Sequence, residues 1–389
     1  MRTAWILLIA GVFVSCKEVN EPDKSQASAQ ASITASTEIG ITDLGTLGGG
    51  WSRAIDLNER GQVVGESETS SGEVHAFLWD KGTMSDIGAF LPAAINNGGQ
   101  IVGKRGNQAV FWERGVITEL GTLGGASSTP LLACPSGSPG FCFLPTPRTL
   151  NESGAVTGTS TTATGESHAF FWRNGEMTDL GTLGGTLSGA AAIEDGGQVL
   201  GGSTTADGEG HTVVWHNGKV KDLGTGFAPA DFNHAGLIAG TSDDGAVVWR
   251  HGELQVLGDE RIRHALLVNE RGDVAAKEED GDVLWIWNKG VLTRVSTVRY
   301  ANPIALNNQG QFIAVGSYGG FSVSSFSSIV WQDGVTKILP ALWCDPPRSP
   351  DYYLCNTATA INNRGDIVGA SMINQGEGFT YHAVLWTTK

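Results

Sequence analysis

Three signatures that recur in fixed order predict an all-β chain built as a β-propeller, with eight four-stranded blades. First comes an apolar residue followed by Asn, two variable residues and Gly. Next comes an apolar run ending in Trp, with Gly three residues on. Last comes a short run ending in Leu-Gly or a close variant. Repetition of such a phrase at about 40–50 residues per copy marks a repeat architecture of propeller-blade size. No segment shows the 3.6-residue period of an amphipathic helix, so no helical layer is expected against the sheets.

The Asn signature starts at Asn58, Asn96, Asn151, Asn233, Asn269, Asn307 and Asn362, and an eighth copy has Glu194 in the Asn slot. Asn opening and Gly closing a four-residue turn is type I turn chemistry, and the short apolar runs on either side make it a hairpin. The Trp signature falls at Trp79, Trp112, Trp172, Trp215, Trp249, Trp287 and Trp331, and Trp386 is an eighth Trp at the same place without the following Gly, so eight of the twelve tryptophans share one position. One structural position occupied eight times reads as packing between neighbouring units. The third signature runs from Asp43-Leu44-Gly45 through Asp86-Ile87-Gly88, Glu119-Leu120-Gly121, Asp179-Leu180-Gly181 and Asp222-Leu223-Gly224 to Leu257-Gly258. Each unit therefore holds four strands, as in AIDL, QVVGE, HAFLW and TMSDIG.

The chain ends supply a test of the count. Only three residues follow Trp386, so the last unit lacks its fourth strand, while an extra fourth strand, 39–45, precedes the first unit. Pairing the two leaves no open edge. The longest insertions, 126–147 and 341–356, fall between a Leu-Gly strand and the next Asn strand. That places the Asn strand innermost and the Leu-Gly strand outermost. Asn and Trp turns then share one face, and the variable loops share the other, which is the candidate binding face.

Composition bounds the partners. A net charge of −15 argues against nucleic acid and against a polybasic membrane surface. Gly, at 55 of 389 residues, is about twice its usual share and fits many tight turns. Residues 1–16, MRTAWILLIAGVFVSC, have a basic start and an apolar run too short to span a bilayer, the pattern of a cleaved export signal. Phe13-Val14-Ser15-Cys16 resembles a bacterial lipobox, which implies cleavage before Cys16 and lipidation of its thiol. Lys17 behind it implies the outer membrane. Residues 17–38 are polar and read as a flexible tether, leaving 39–389 as the repeat domain.

His-Ala-Phe at His75-Ala76-Phe77 and His168-Ala169-Phe170, with DLGTLGG and the L-N-x-x-G-x-V-x-G hairpin, resembles the bacterial extracellular HAF repeat family across most of 41–389. The resemblance implies an exported, propeller-like repeat protein and no particular activity.

Few residues offer chemistry. Cys134 and Cys142 lie in one insertion, Cys344 and Cys355 in the other, in units that are not neighbours, so local bridges Cys134–Cys142 and Cys344–Cys355 are expected. His75, His168, His211 and His382 share one position on different units and cannot converge on a metal; they read as packing or turn residues. Acidic loops at Asp243-Asp244-Gly245 and Glu278-Glu279-Asp280-Gly281-Asp282 offer oxygens of the kind calcium takes, without the spacing of an EF-type loop. They read as solvated turns, and no cofactor is expected. The remaining candidates are aromatic: Trp51, Tyr318, Trp343, Tyr352, Tyr353 and Tyr381, with Phe321 and Phe379, on the variable face of units seven, eight and one. Exposed aromatics suit a glycan or peptide, and the alternative role is to roof the bridged insertion. The expected function is a monomeric, lipid-anchored binding scaffold at the cell envelope. A polysaccharide hydrolase or lyase would need two inner-strand carboxylates about 5–9.5 Å apart, and only Asp56 stands out among AIDL, AAIN, LLVN and TAIN. A purely structural envelope protein is the third reading.

Overall fold

The computed structural model describes residues 32–34, 39–130, 148–258, 260–279, 283–295, 299–318, 325–344, 353–376 and 378–388. The described strands form four-stranded antiparallel units, and no helix occurs among these residues. In unit one, Gly48–Leu57 pairs with Val63–Thr69, then Val74–Asp80, then Thr83–Gly88. The same meander repeats over 91–119, 124–179, 184–224, 228–256, 262–295 and 299–338. A last unit is built from Asn356–Ile361, Ile367–Asn374 and Phe379–Thr388, and its fourth strand is Ile39–Gly45, antiparallel to Phe379–Thr388 with Ile41 opposite Trp386. These units make the fold a β-propeller.

Local chemistry sets each turn. Gly61 closes the Asn58 turn at φ 79°, with its N–H 3.1 Å from Asn58 O. The Trp hairpins use two left-handed residues in a row, such as Lys81 (φ 49°) and Gly82 (φ 89°), which is the type I′ geometry that suits twisted strands. The inner strand carries a bulge in most units, for example between Ala54 and Asp56 and between Ala358 and Ala360. A bulge increases twist and re-aims the residues beyond it. It also drives a carbonyl toward the second strand. A Cβ at Gly65 would lie 2.1 Å from Arg53 O, and one at Gly369 would lie 1.9 Å from Thr357 O, which explains the Gly that recurs in VVG and IVG.

Each of eight clusters of buried apolar side chains draws on two neighbouring units. Trp112 packs with Val64 and Ala76 of unit one, and Trp172 packs with Ala93 and Val102 of unit two. The first and last units meet in the same way, through Ala54, Val63 and Phe77 against Ala360, Val368 and Ala383. Trp386 is fully buried, and its indole N–H donates to Pro340 O at 2.7 Å.

The insertions differ from expectation in one respect. Gly124–Pro130 is already the inner strand of unit three, so residues 126–130 of the expected insertion belong to a strand. The GG at the end of the Leu-Gly phrase starts the following inner strand, as in the ten-residue strands Gly48–Leu57 and Gly184–Ile193. Ser32–Thr34, within the stretch read as a tether, lies parallel to Val335–Ile338 at the outer edge of unit seven. Residues 1–31 and 131–147, with Cys16, Cys134 and Cys142, lie outside the described residues.

Removal of residues 1–45 is expected to leave Phe379–Thr388 as an open edge, lowering the thermal midpoint by roughly 10 °C or more and promoting aggregation. Removal of 1–38 alone takes away only the three-residue pairing of Ser32–Thr34 and should change both far less. Differential scanning calorimetry with light scattering checks the pair, and equal behaviour of the two truncations would show that Ile39–Gly45 is dispensable.

Candidate functional site

The recurring Asn residues are joined side chain to backbone from unit to unit. Asn58 Oδ1 accepts the Arg60 and Gln62 N–H groups of its own turn, and Nδ2 donates to Asn96 O of the next unit at 3.0 Å. The relay continues from Asn96 to Asn151 O, from Asn151 to Glu194 O, from Asn233 to Asn269 O, from Asn269 to Asn307 O and from Asn307 to Asn362 O. Asn362 Nδ2 then donates to Asn58 O at 3.1 Å. A second relay runs beside it through the residues that follow. Glu59 N–H donates to Asn97 Oδ1, Asn97 N–H to Glu152, Glu152 N–H to Asp195, His234 N–H to Glu270, Glu270 N–H to Asn308, Asn308 N–H to Asn363 and Asn363 N–H to Glu59.

Both relays lack the same link, from unit four to unit five. Glu194 cannot donate as an amide does, and its carboxylate instead accepts the Gly196 and Gln198 N–H groups. A charged cluster fills the gap. His234 Nε2 lies 3.1 Å from Glu194 Oε2, and Nδ1 lies 2.9 Å from Glu270 Oε1. Arg148, from unit three, donates to Phe232 O at 2.5 Å and sits 3.5 Å from Asp231 Oδ1 and 3.8 Å from Glu270 Oε1. The departures from the repeat at Arg148, Glu194 and His234 thus meet at one point.

This cluster borders an axial cavity of about 440 Å3 whose walls include inner-strand or Asn-turn residues of every unit, among them Ile95, Leu150, Leu267 and Ile361. Asp56 and Asp231 project into its lining at equivalent positions of units one and five. Asp56 accepts the Leu57 N–H at 2.9 Å and the Ile95 N–H of the next unit at 2.9 Å. Asp231 accepts the Phe232 N–H at 2.9 Å and the Val268 N–H of the next unit at 3.0 Å. Burial pushes Asp56 up to about 6, and burial also raises Asp231 against the pull of Arg148. Glu270 raises His234. Asp231 went unnoticed in the sequence because its strand, APADF, departs from the AIDL pattern. Its place two residues before the turn Asn is the signal that could have found it.

The HAF histidines do not converge. His75 Nδ1 lies 2.8 Å from Asp86, His168 2.9 Å from Asp179, His211 2.9 Å from Asp222 and His382 2.9 Å from Asp43. In each case the partner is the Asp of the same unit's Leu-Gly strand, which also accepts the Gly N–H two residues on. The motif is a cross-strand clasp, and His382 makes it with a residue from the opposite end of the chain. The Gly224 N–H and then His211 hold Asp222 below the usual carboxylate range, and Asp222 in turn raises His211. Among the described residues no group of three or more His, Cys, Asp or Glu is arranged to hold a metal ion. In the acidic loops, Arg263 donates to Asp243 O and to Glu279.

Cys344 and Cys355 are bonded to each other. The aromatic candidates fall mostly on strands rather than loops. Trp51 is half-buried within Gly48–Leu57, and Trp343 is half-buried against the core between units seven and eight, with its backbone N–H donating to Met372 O. Tyr381 has to be withdrawn from an exposed patch. It is 6% exposed, its hydroxyl donates to Leu354 O at 2.8 Å, and burial raises it to about 12. The backbones of Tyr318 and Tyr353 both pair with Ser325. Tyr352 and Phe321 lie outside the described residues, and Phe379 stands exposed, edge-on to Tyr381.

No known family profile matches the chain, and no curated relative matches it. Among solved structures it is similar to a Mycobacterium tuberculosis puromycin-hydrolyzing peptidase (12% identity, 82% of this chain and 57% of that one, TM-score 0.49). It is similar also to the Pyrococcus horikoshii acylaminoacyl peptidase (12%, 86% and 60%, 0.48). The chain thus spans less than two thirds of either peptidase. The β-propeller domain of the Pyrococcus furiosus Trilobed protease matches over 87% of this chain and 94% of its own at 9% identity and a TM-score of 0.42. Likeness this distant carries no argument about function.

Asp56, Asp231 and His234 all hold protons more tightly when folded than when unfolded. Each therefore contributes stability that fades as pH rises through its folded value. Thermal unfolding is expected at a higher temperature near pH 5 than near pH 8, because about 3.9 and about 6.5 are the unfolded carboxylate and imidazole values. Replacing Glu194→Asn together with His234→Asn restores the repeat residues at the missing link and should flatten part of that slope. It should add about 1 kcal/mol at pH 8 through the regained amide bond. A midpoint that rises between pH 5 and pH 8 in the parent chain would exclude this linkage.

Proposed function

We propose that the chain is an exported, lipid-anchored propeller, closed as a ring of eight blades, that binds a protein or a glycan at the cell envelope. The HAF resemblance, the export signal and the lipobox-like Cys16 support the address, with the lipid chain as the membrane contact, the outer membrane as the destination and a monomer as the working unit. The pairing of Ile39–Gly45 with Phe379–Thr388 and the Asn362 bond to Asn58 support closure.

One observation favours binding over hydrolysis or lyase chemistry. The two inner-strand carboxylates of the axial cavity, Asp56 and Asp231, each accept two backbone N–H groups from two different units. Such carboxylates serve as staples between blades. A glycoside-cleaving pair has to keep one group free to protonate the leaving oxygen and the other free to attack or to activate water. The binding surface lies on the face opposite the Asn turns, around the Cys344–Cys355 bridge, where Trp51 and Trp343 keep part of their rings exposed.

Glycan-array and pull-down binding by the full chain tests the reading. Trp51→Ala with Trp343→Ala is expected to weaken any ligand found by about tenfold or more, the scale of losing an aromatic anchor. Polysaccharide turnover by the parent chain that Asp56→Asn abolishes would move the protein to the enzyme class. Binding indifferent to both tryptophans would displace the site from this face. Cys16→Ala is expected to release the protein from membranes in a fractionation assay.

A further inference from the structure

On the face formed by the Asn and Trp turns, neighbouring units leave equivalent grooves between them. Each is walled by the third and fourth strands of one unit and by the Asn and Trp turns of the next, and each is lined by the next unit's repeat Trp. The groove between units two and three, with Trp172, encloses about 480 Å3. The one between units three and four, with Trp215, encloses about 290 Å3. The groove between units five and six, with Trp287, encloses about 820 Å3.

The frame is the same and the chemistry differs. The first groove carries one cation and one carboxylate, Arg114 and Glu113, and the second carries Arg173 and Asp179 with His216. The third gathers Arg250, Arg271 and Lys289 with His251, against the single carboxylate of Glu253. On a chain of net charge −15 this is a local reversal of sign. Arg271 is anchored, donating to Gln309 O at 2.9 Å and lying 3.5 Å from Asp273. The side chains of Arg250 and Lys289 are exposed, and neither side chain has a hydrogen-bond or ion-pair partner among the described residues. Lys289 is held at φ 46° in its turn, which fixes the direction in which it leaves the backbone. Trp287 is half-buried against the core between units five and six, and Leu237 and Val248 continue the apolar wall beside it.

We propose that this groove binds a carboxylated saccharide, a short stretch of uronate-type sugar. Its size falls within the ~300–1,000 Å3 range of small-ligand sites. A sugar ring presents an apolar C–H face suited to the exposed part of an indole, and a guanidinium grips a carboxylate through two parallel N–H bonds. An unpaired Arg and an unpaired Lys beside one Trp supply both kinds of contact at once. Carboxylates at the axial mouth, such as Glu152 and Asp195, repel the same ligand, so it is confined to the outer part of the face. This site lies on the opposite face from Trp51 and Trp343, and it stands or falls independently of that surface.

Calorimetric titration of the full chain with tetragalacturonate, with its neutral methyl ester, with polyglutamate and with inorganic phosphate tests the proposal. Tetragalacturonate is expected to bind with an affinity that falls as salt is raised, because the contacts are ionic and partly exposed. The ester is expected to bind at least tenfold more weakly. Arg250→Glu and Lys289→Glu should each reduce affinity at least tenfold, Trp287→Phe should weaken it severalfold, and Arg173→Glu in the neighbouring groove should leave it unchanged. All four positions except Trp287 are exposed, and circular dichroism with the thermal midpoint verifies folding. Arg250→Gln, which removes charge without reversing it, should fall between parent and Arg250→Glu. Equal affinity for acid and ester, no binding of the acid at millimolar concentration, or indifference to Arg250 and Lys289 would overturn the site. Tighter binding of polyglutamate would replace the saccharide with an acidic peptide, and phosphate competing at equal concentration would reduce the groove to a general anion site.

Discussion

The side-chain amide of the turn Asn is the interaction on which the other features depend. One residue closes its own turn with Oδ1 and joins its unit to the next with Nδ2, so local geometry and assembly are fixed by the same group. An aliphatic residue there would leave turn N–H groups and a neighbouring carbonyl unpaired in a buried place, at a cost of about 1–3 kcal/mol per group. Asn58 and Asn362 are each 4% exposed, which makes water a poor substitute. The tryptophans then fill the spaces that this relay sets, and the inner-strand bulges aim Asp56 and Asp231 at the following unit.

The fourth-to-fifth link shows how the relay tolerates an exception. Glu194 gives up the donor and keeps both turn acceptor roles. The lost bond is replaced by His234 and Arg148, charged groups held by Glu194, Glu270 and Asp231. Charge-assisted bonds are stronger than amide bonds one for one, yet they carry desolvation costs and depend on protonation. A propeller joined by amides alone would be nearly indifferent to pH over the neutral range. This one is sensitive at the fourth-to-fifth link, through His234, and at the carboxylate staples of Asp56 and Asp231.

Much of the fold could be read directly. Asn-x-x-Gly and Xaa-Gly after Trp specify their turns through backbone sterics, a local matter that tertiary contacts need not correct. The His of HAF and the Asp of DLG occur together in the same four units, and the clasp between them explains why. Its fourth instance, His382 with Asp43, was legible in principle from the opposite ends of the chain. The candidate site was less legible. Arg148, His234 and Asp231 each look like drift when copies are compared one at a time. Their proximity depends on how units three to six are arranged about a common axis. Tyr381 misled for a similar reason: its place beside a variable-face loop suggested an exposed ring, and the Leu354 carbonyl, 27 residues away, satisfies its hydroxyl in the interior.

The sequence by itself determined the repeat, the order of strands within a unit and the strand that the last unit lacks, because these follow from turn chemistry and from signatures that recur in fixed order along this chain. The tertiary structure decided which departures from the repeat matter. Arg148, Glu194 and His234 come from three units and converge at one link. Arg250, Arg271 and Lys289 come from two units and share one groove. Residues far apart in sequence acquire a common chemistry only when packing brings them within a few ångströms, and linear spacing across blades of unequal length does not encode that distance.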